Sequence, residues 1–218
     1  MEIIIRTLVK DAIEKVKRND LNQNVADQVM DEIARRYGVR GNTLSGRPAQ
    51  RPEIPAKHLF NAFCQLYLHH VLQLNHIWLI DNLPEDLLLE LKIRRGDGVD
   101  VVARDVYGRF NAISCIFKED TNVVTPMELI RFSNACSSYQ QWNKIILFTN
   151  AGVVRRSLHK LGIMLVGTRD FQHITEDEWT DMADCSHLPP PPAFEVSTAG
   201  PNPEELRRIW LNRYSTTK

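Results

Sequence analysis

The sequence predicts an α/β fold, in which a mixed central sheet is flanked by helices and preceded by a helical extension. Three observations carry this prediction. From Val99 onward the apolar period becomes strand-like: "VDVVARD" and "RFNAISCIF" read as strands joined through "VYGR", a hairpin with Gly108 in its turn. Further along, "NKIILFTN" and "IMLVGTRDF" are near-continuous apolar runs, the pattern of strands buried on both faces. Helical stretches separate these runs, and strand–helix–strand alternation implies pairing that is at least partly parallel.

The elements follow in order. Residues 2–18 place Ile4, Leu8, Ala12, Ile13 and Val16 at helical spacing, and residues 21–37 repeat the pattern through Val25, Val29, Ile33 and Tyr37. Residues 1–37 are therefore read as a helical pair, with Gly38 as its stop and Arg35 and Arg36 in the last turn, where the helix dipole favours cations. Residues 38–55, "GVRGNTLSGRPAQRPEIP", form a Gly/Pro/Arg-rich linker. The α/β domain is assigned to residues 56–184. It opens on an amphipathic helix over 56–74, whose apolar face holds Leu59, Phe63, Leu66, Val71 and Leu74. His69 and His70 within it are adjacent, so they diverge by roughly 100° and do not form a chelating pair.

"NHIWLIDNLPEDLLLELKI" gives a short segment, a proline turn and another apolar stretch before the hairpin. After the hairpin, "TPMELIRFSNACSSY" carries a complete start signal: Thr125 as N-cap, Pro126 at the first helical position and Glu128 three residues after the cap. "AGVVRRSLHKLG" is a helix closed by Gly162, and "TEDEWTDMAD" one capped by Thr175. Residues 185–202 form a proline-rich linker, and residues 203–218 a C-terminal helix suited to docking on another module.

Bulk composition narrows the class. Of 218 residues 43% are hydrophobic and 25% charged, which is ordinary for a globular protein and long enough for one domain with appendages. Lys plus Arg equal Asp plus Glu at 27 each, so any nucleic-acid surface has to be a local patch rather than a global field. Cys64, Cys115, Cys136 and Cys185 form no CxxC pair and are read as reduced core thiols of an intracellular protein. No apolar run approaches the roughly 18 residues of a membrane span.

The chemistry concentrates in "RRGDGVDVVARDVYGRFNAISCIFKED", residues 94–120. A glycine turn precedes Asp100, which opens the first hairpin strand; the second strand ends in Lys118, Glu119 and Asp120. Set beside "IWLIDNLP" (77–84), "GDGVDVVAR" (96–104), "NAISC" (111–115), "IILFTNA" (145–151) and "HKLGIMLVGTRDF" (159–171), this order resembles the restriction endonuclease-like, PD-(D/E)xK superfamily. More closely, it is similar to the Mrr-type domains, including those fused ahead of helicases. The resemblance covers roughly residues 75–175.

In that family an aspartate at the first strand holds a divalent metal, a Glu or Gln of the second strand adds a ligand, and a lysine two residues later assists the attacking water. The resemblance places Asp100 on the metal aspartate and Asp97 on the acid of the preceding turn. The polar ligand falls on Ser114 and the lysine on Ile116. A neutral hydroxyl is a poor Mg²⁺ ligand and isoleucine moves no proton, so a degenerate site is the first expectation, with Lys118 as the candidate relocated lysine. Substitute carboxylates are Glu119 or a residue of the preceding helix (Glu85, Asp86, Glu90). Basic groups able to hold phosphates are Lys92, Arg94 and Arg95 before the turn, and Arg155 and Arg156 after "LFTNAG".

Three readings follow. The first is a pseudonuclease that binds DNA, in preference to RNA, and positions a helicase or other protein module. The second is an active Mg²⁺-dependent DNA endonuclease. The third is a scaffold that binds proteins and not nucleic acid.

Overall fold

Five strands form one sheet in the order β1-β2-β3-β4-β5, antiparallel through the first three and parallel through the last three. This is the mixed sheet that the hairpin and the two later apolar runs predict. The computed structural model describes residues 1–18, 24–37, 55–118, 123–139, 141–153 and 155–184. The linker over 38–54, Glu119 and Asp120, Cys185, and the segments over 185–202 and 203–218 lie outside the described residues.

The strands are β1 (His76–Leu79), β2 (Val101–Arg104), β3 (Phe110–Ile116), β4 (Lys144–Thr149) and β5 (Ile163–Val166). The helices are α1 (Glu2–Arg18), α2 (Val25–Tyr37), α3 (Ala56–His70), α4 (Glu85–Glu90), α5 (Pro126–Ser137), α6 (Arg155–Lys160), α7 (Thr168–Gln172) and α8 (Glu176–Asp184). A 3-10 turn, Ile80–Asn82, connects β1 towards α4.

Alternation along the strands sorts the core into two faces. Val101, Ala103, Ile113 and Cys115 pack with α1, α2, α3, α7 and α8, whereas Val99, Val102, Ala112 and Leu147 pack with α4, α5 and α6. The first face is aromatic: Phe171 meets Phe60, Phe63, Tyr67 and Phe148 with ring centroids 5.2–6.4 Å apart. This cluster seats α3 on the sheet. The N-terminal helices join the same core through Ile5, Leu8, Val9, Ala26, Val29 and Ile33.

Local signals explain most boundaries. Thr125 and Glu128 exchange side-chain and backbone hydrogen bonds in a capping box at α5, and Thr175 and Glu178 do the same ahead of α8. α3 stops at His70 rather than continuing to Leu74, because Gln73 adopts a left-handed conformation (φ 54°) and the Leu74 N–H turns back to the Leu68 carbonyl. Among the described residues β5 pairs only with β4, and at this edge Met164 is 41% exposed rather than buried on both faces.

Candidate functional site

A cleft of about 430 Å³ opens where the first turn of α3, the end of β1 with its 3-10 turn, the head of β2, the end of β3 and the first turns of α5 meet. Asp100 lies at its floor. The backbone holds this residue from both sides, its N–H donating to the Ile113 carbonyl and its carbonyl accepting from Ile80 N–H, each at 2.9 Å. The hairpin thus places Asp100 rigidly beside the end of β3, where the sequence puts it.

Both carboxylate oxygens of Asp100 are engaged. Oδ2 accepts from the Cys115 backbone N–H at 2.8 Å and from the Ser114 hydroxyl at 3.3 Å. Oδ1 faces the Lys57 ammonium at 2.8 Å. Lys57 comes from the start of α3, following Pro55, and sequence reading did not single it out. A contact between helix α3 and a strand more than 40 residues away leaves no periodicity in the sequence; the one available signal is a cation in a helical first turn, the end that favours anions.

Lys118 does not reach Asp100. Its Nζ lies 2.8 Å from Glu128 Oε1, and its backbone is held by Asn150, whose amide accepts from Lys118 N–H and donates to Lys118 O. Burial raises the Glu128 pKa, but the bonds from Lys118 and Thr125 outweigh it and hold the carboxyl below its ordinary value. Ile116 is half-buried on the cleft wall, as apolar in its surroundings as in its sequence.

The remaining predicted residues spread out. Asp97 is exposed in the turn before Asp100, its N–H donating to the Arg94 carbonyl at 3.2 Å, and it is not among the cleft's lining residues. Arg94 is exposed, and Arg95 pairs with Glu85 and donates to the Leu83 carbonyl. Lys92, at the end of α4, has φ 53° and lines a separate depression with Glu90, Ser138 and Tyr139. That depression lies at the far end of α5, about 10 Å along the helix from Arg131 of the cleft at roughly 1.5 Å per helical residue. Arg155 and Arg156 are the first residues of α6, and their side chains lie outside the described atoms. The cleft instead draws its second cation, Arg131, from α5, where it donates to the Gly96 carbonyl.

These donors do not suit a divalent ion. Mg²⁺ takes oxygen ligands in octahedral array and usually at least one free carboxylate. Here N–H, O–H and ammonium donors occupy the single central carboxylate, and among the described residues no three His, Cys, Asp or Glu side chains gather in a metal-binding group. No helix among the described residues is long and apolar enough to cross a membrane.

Among solved structures the chain is similar to an ATP-dependent type ISP restriction-modification enzyme, LlaBIII, bound to DNA. The likeness is 23% identity with a TM-score of 0.41, covering 53% of this chain and 8% of that one. The chain thus spans a small part of that enzyme's length. No protein-family model and no curated protein matches it.

Beneath the cleft, Cys64 of α3 and Cys115 of β3 are buried free thiols. Burial raises both pKa values, and the nearby Asp100 charge adds to the rise. Neither is poised as a nucleophile.

Proposed function

We propose that the chain is a restriction endonuclease-like module that binds nucleic acid, DNA in preference to RNA, without cutting it, and holds a helicase or other protein module in place. The order of sequence motifs supports the family, and one observation supports the loss of cleavage. Around Asp100, the positions matching the family's ligand and lysine are Ser114 and Ile116, while Lys57 from helix α3 pairs with the carboxylate. A site lacking two groups that act together loses orders of magnitude in rate.

The test is nicking of supercoiled plasmid with Mg²⁺ or Mn²⁺, wild type beside Asp100→Ala, with salt-dependent DNA binding followed on the same samples. Binding that weakens with salt, and no nicking above buffer, is the expected result. Nicking that disappears in Asp100→Ala would make the chain an active endonuclease. Absence of binding even at low salt would leave the protein scaffold as the surviving reading.

A further inference from the structure

We propose that Lys57 is the phosphate-binding cation of this cleft, standing on Asp100 where the resembling nucleases hold a metal, so that a DNA phosphate is gripped without divalent ions. This rests on the reading of the chain as a nucleic-acid-binding module, and adds to it the group that meets the backbone.

The pair is asymmetric. The Asp100 side chain is 13% exposed and the Lys57 side chain 57%, so the carboxylate sits inside and the ammonium at the mouth. An ammonium has three donors, and the bond to Asp100 Oδ1 uses one. The other two are available to an oxyanion entering the cleft, while Asp100 fixes where they stand.

The placement of Lys57 also runs against helix electrostatics. The first turn of α3 contains Lys57 and His58 and no acid, and Pro55 at the N-cap offers no side-chain acceptor. The helix dipole and the Lys57 charge therefore add at one point, which is unfavourable for the isolated helix and favourable for a bound anion. Such a breach of local preference is what a functional site produces.

The far wall completes the grip. Arg131 supplies a second cation there, and Lys118 pairs the neighbouring Glu128 carboxylate and so removes most of its repulsion of a phosphate. Asp81 is the remaining carboxylate at the rim.

The experiment is fluorescence anisotropy with a labelled DNA duplex in EDTA across a salt series, for wild type, Lys57→Met, Lys57→Arg, Asp100→Asn and the double variant Lys57→Met/Asp100→Asn. Methionine keeps the aliphatic stem, and the double variant leaves no unpaired carboxylate that would compromise folding. Wild type is expected to bind in EDTA with no gain from Mg²⁺. Lys57→Met and the double variant should bind about tenfold more weakly, with a salt slope reduced by about one. Lys57→Arg should keep most of the affinity, and Asp100→Asn should not weaken binding, because it removes a negative charge rather than a metal ligand. Wild-type affinity in the double variant would overturn the role of Lys57 and leave the binding function standing. Binding that requires Mg²⁺ and fails in Asp100→Asn would put a metal on Asp100 and overturn it too. No wild-type binding at any salt would defeat the parent reading, and the proposal with it.

Discussion

Lys118 Nζ lies 2.8 Å from Glu128 Oε1, and the other oxygen of the same carboxylate receives both the N–H and the hydroxyl of Thr125. The lysine nearest in sequence to the site is thereby committed to the start of α5. This gives the ion pair a structural role and a pH dependence of known sign. The folded-state pKa of Glu128 is depressed, so its contribution is present above the unfolded carboxylate pKa and lost as pH falls through the folded value.

Glu128→Gln keeps the shape of the cap but not its charge. It should lose about 0.5–1 kcal/mol at pH 7, given partial exposure and the usual worth of a cap. The difference from wild type should begin to narrow below about pH 4, where the unfolded carboxylate protonates, and close as pH falls through the lower folded-state value. Urea denaturation at pH 7 and pH 3 checks this. An equal gap at both values would mean that hydrogen bonding alone, and not charge, holds the cap.

Gly98 fixes the distance between the Asp100 turn and α5. Its φ is 109°, and a Cβ there would lie 3.3 Å from both the N and Cα of Phe132. Gly96 has φ 89°, but a Cβ at that position would meet nothing within 4 Å. Alanine at 96 therefore meets only conformational strain and should cost about 1 kcal/mol, whereas alanine at 98 adds a clash with helix backbone and should cost at least about 2–3 kcal/mol. Thermal unfolding of the two variants side by side gives the comparison; equal losses would show that α5 yields freely.

Those two glycines illustrate what a sequence discloses. Signals that act within a few residues were legible: the Thr125–Glu128 cap, the Gly108 hairpin, the alternation along β2 and β3, and the position of Asp100 at the strand head. The relations that define the cleft were not. Strand periodicity shows that Ser114, Ile116 and Lys118 follow one another on a face, but it does not reveal that Asn150 and Glu128 hold Lys118 aside. Nor does it reveal that α3 delivers Lys57, because the angle of α3 is set by packing of Phe60, Phe63 and Tyr67 against Phe148 and Phe171. Helix α7, only five residues long, was missed because a single turn has no period to detect.

Phe171 carries that packing. It is fully buried and contacts four rings, three of them on α3. Phe171→Ala should destabilise by about 3–5 kcal/mol. For a chain of this size that corresponds to a fall of roughly 10 °C in Tm. Phe171→Leu, which leaves a smaller cavity, should fall between wild type and alanine. A change of under about 1 kcal/mol in Phe171→Ala, the range of ordinary surface substitutions, would show that α3 is held elsewhere.

The buried thiols turn the same packing into a local measurement. Cys64 and Cys115 belong to the core beneath α3, and Cys136 to the core beneath α5, where burial pushes its pKa up to about 12. In a Cys185→Ser background, all three should react with a thiol reagent at pH 8 at least about 100-fold more slowly in the native protein than in urea, since the reactive thiolate is both scarce and inaccessible. Modification then proceeds through local opening, and Phe171→Leu loosens only the α3 side. Mass-spectrometric assignment of the label should show Cys64 and Cys115 accelerated in that variant and Cys136 unchanged. Equal acceleration at all three would mean that the two faces of the sheet open together, and that α3, with Lys57 at its tip, has no independent motion.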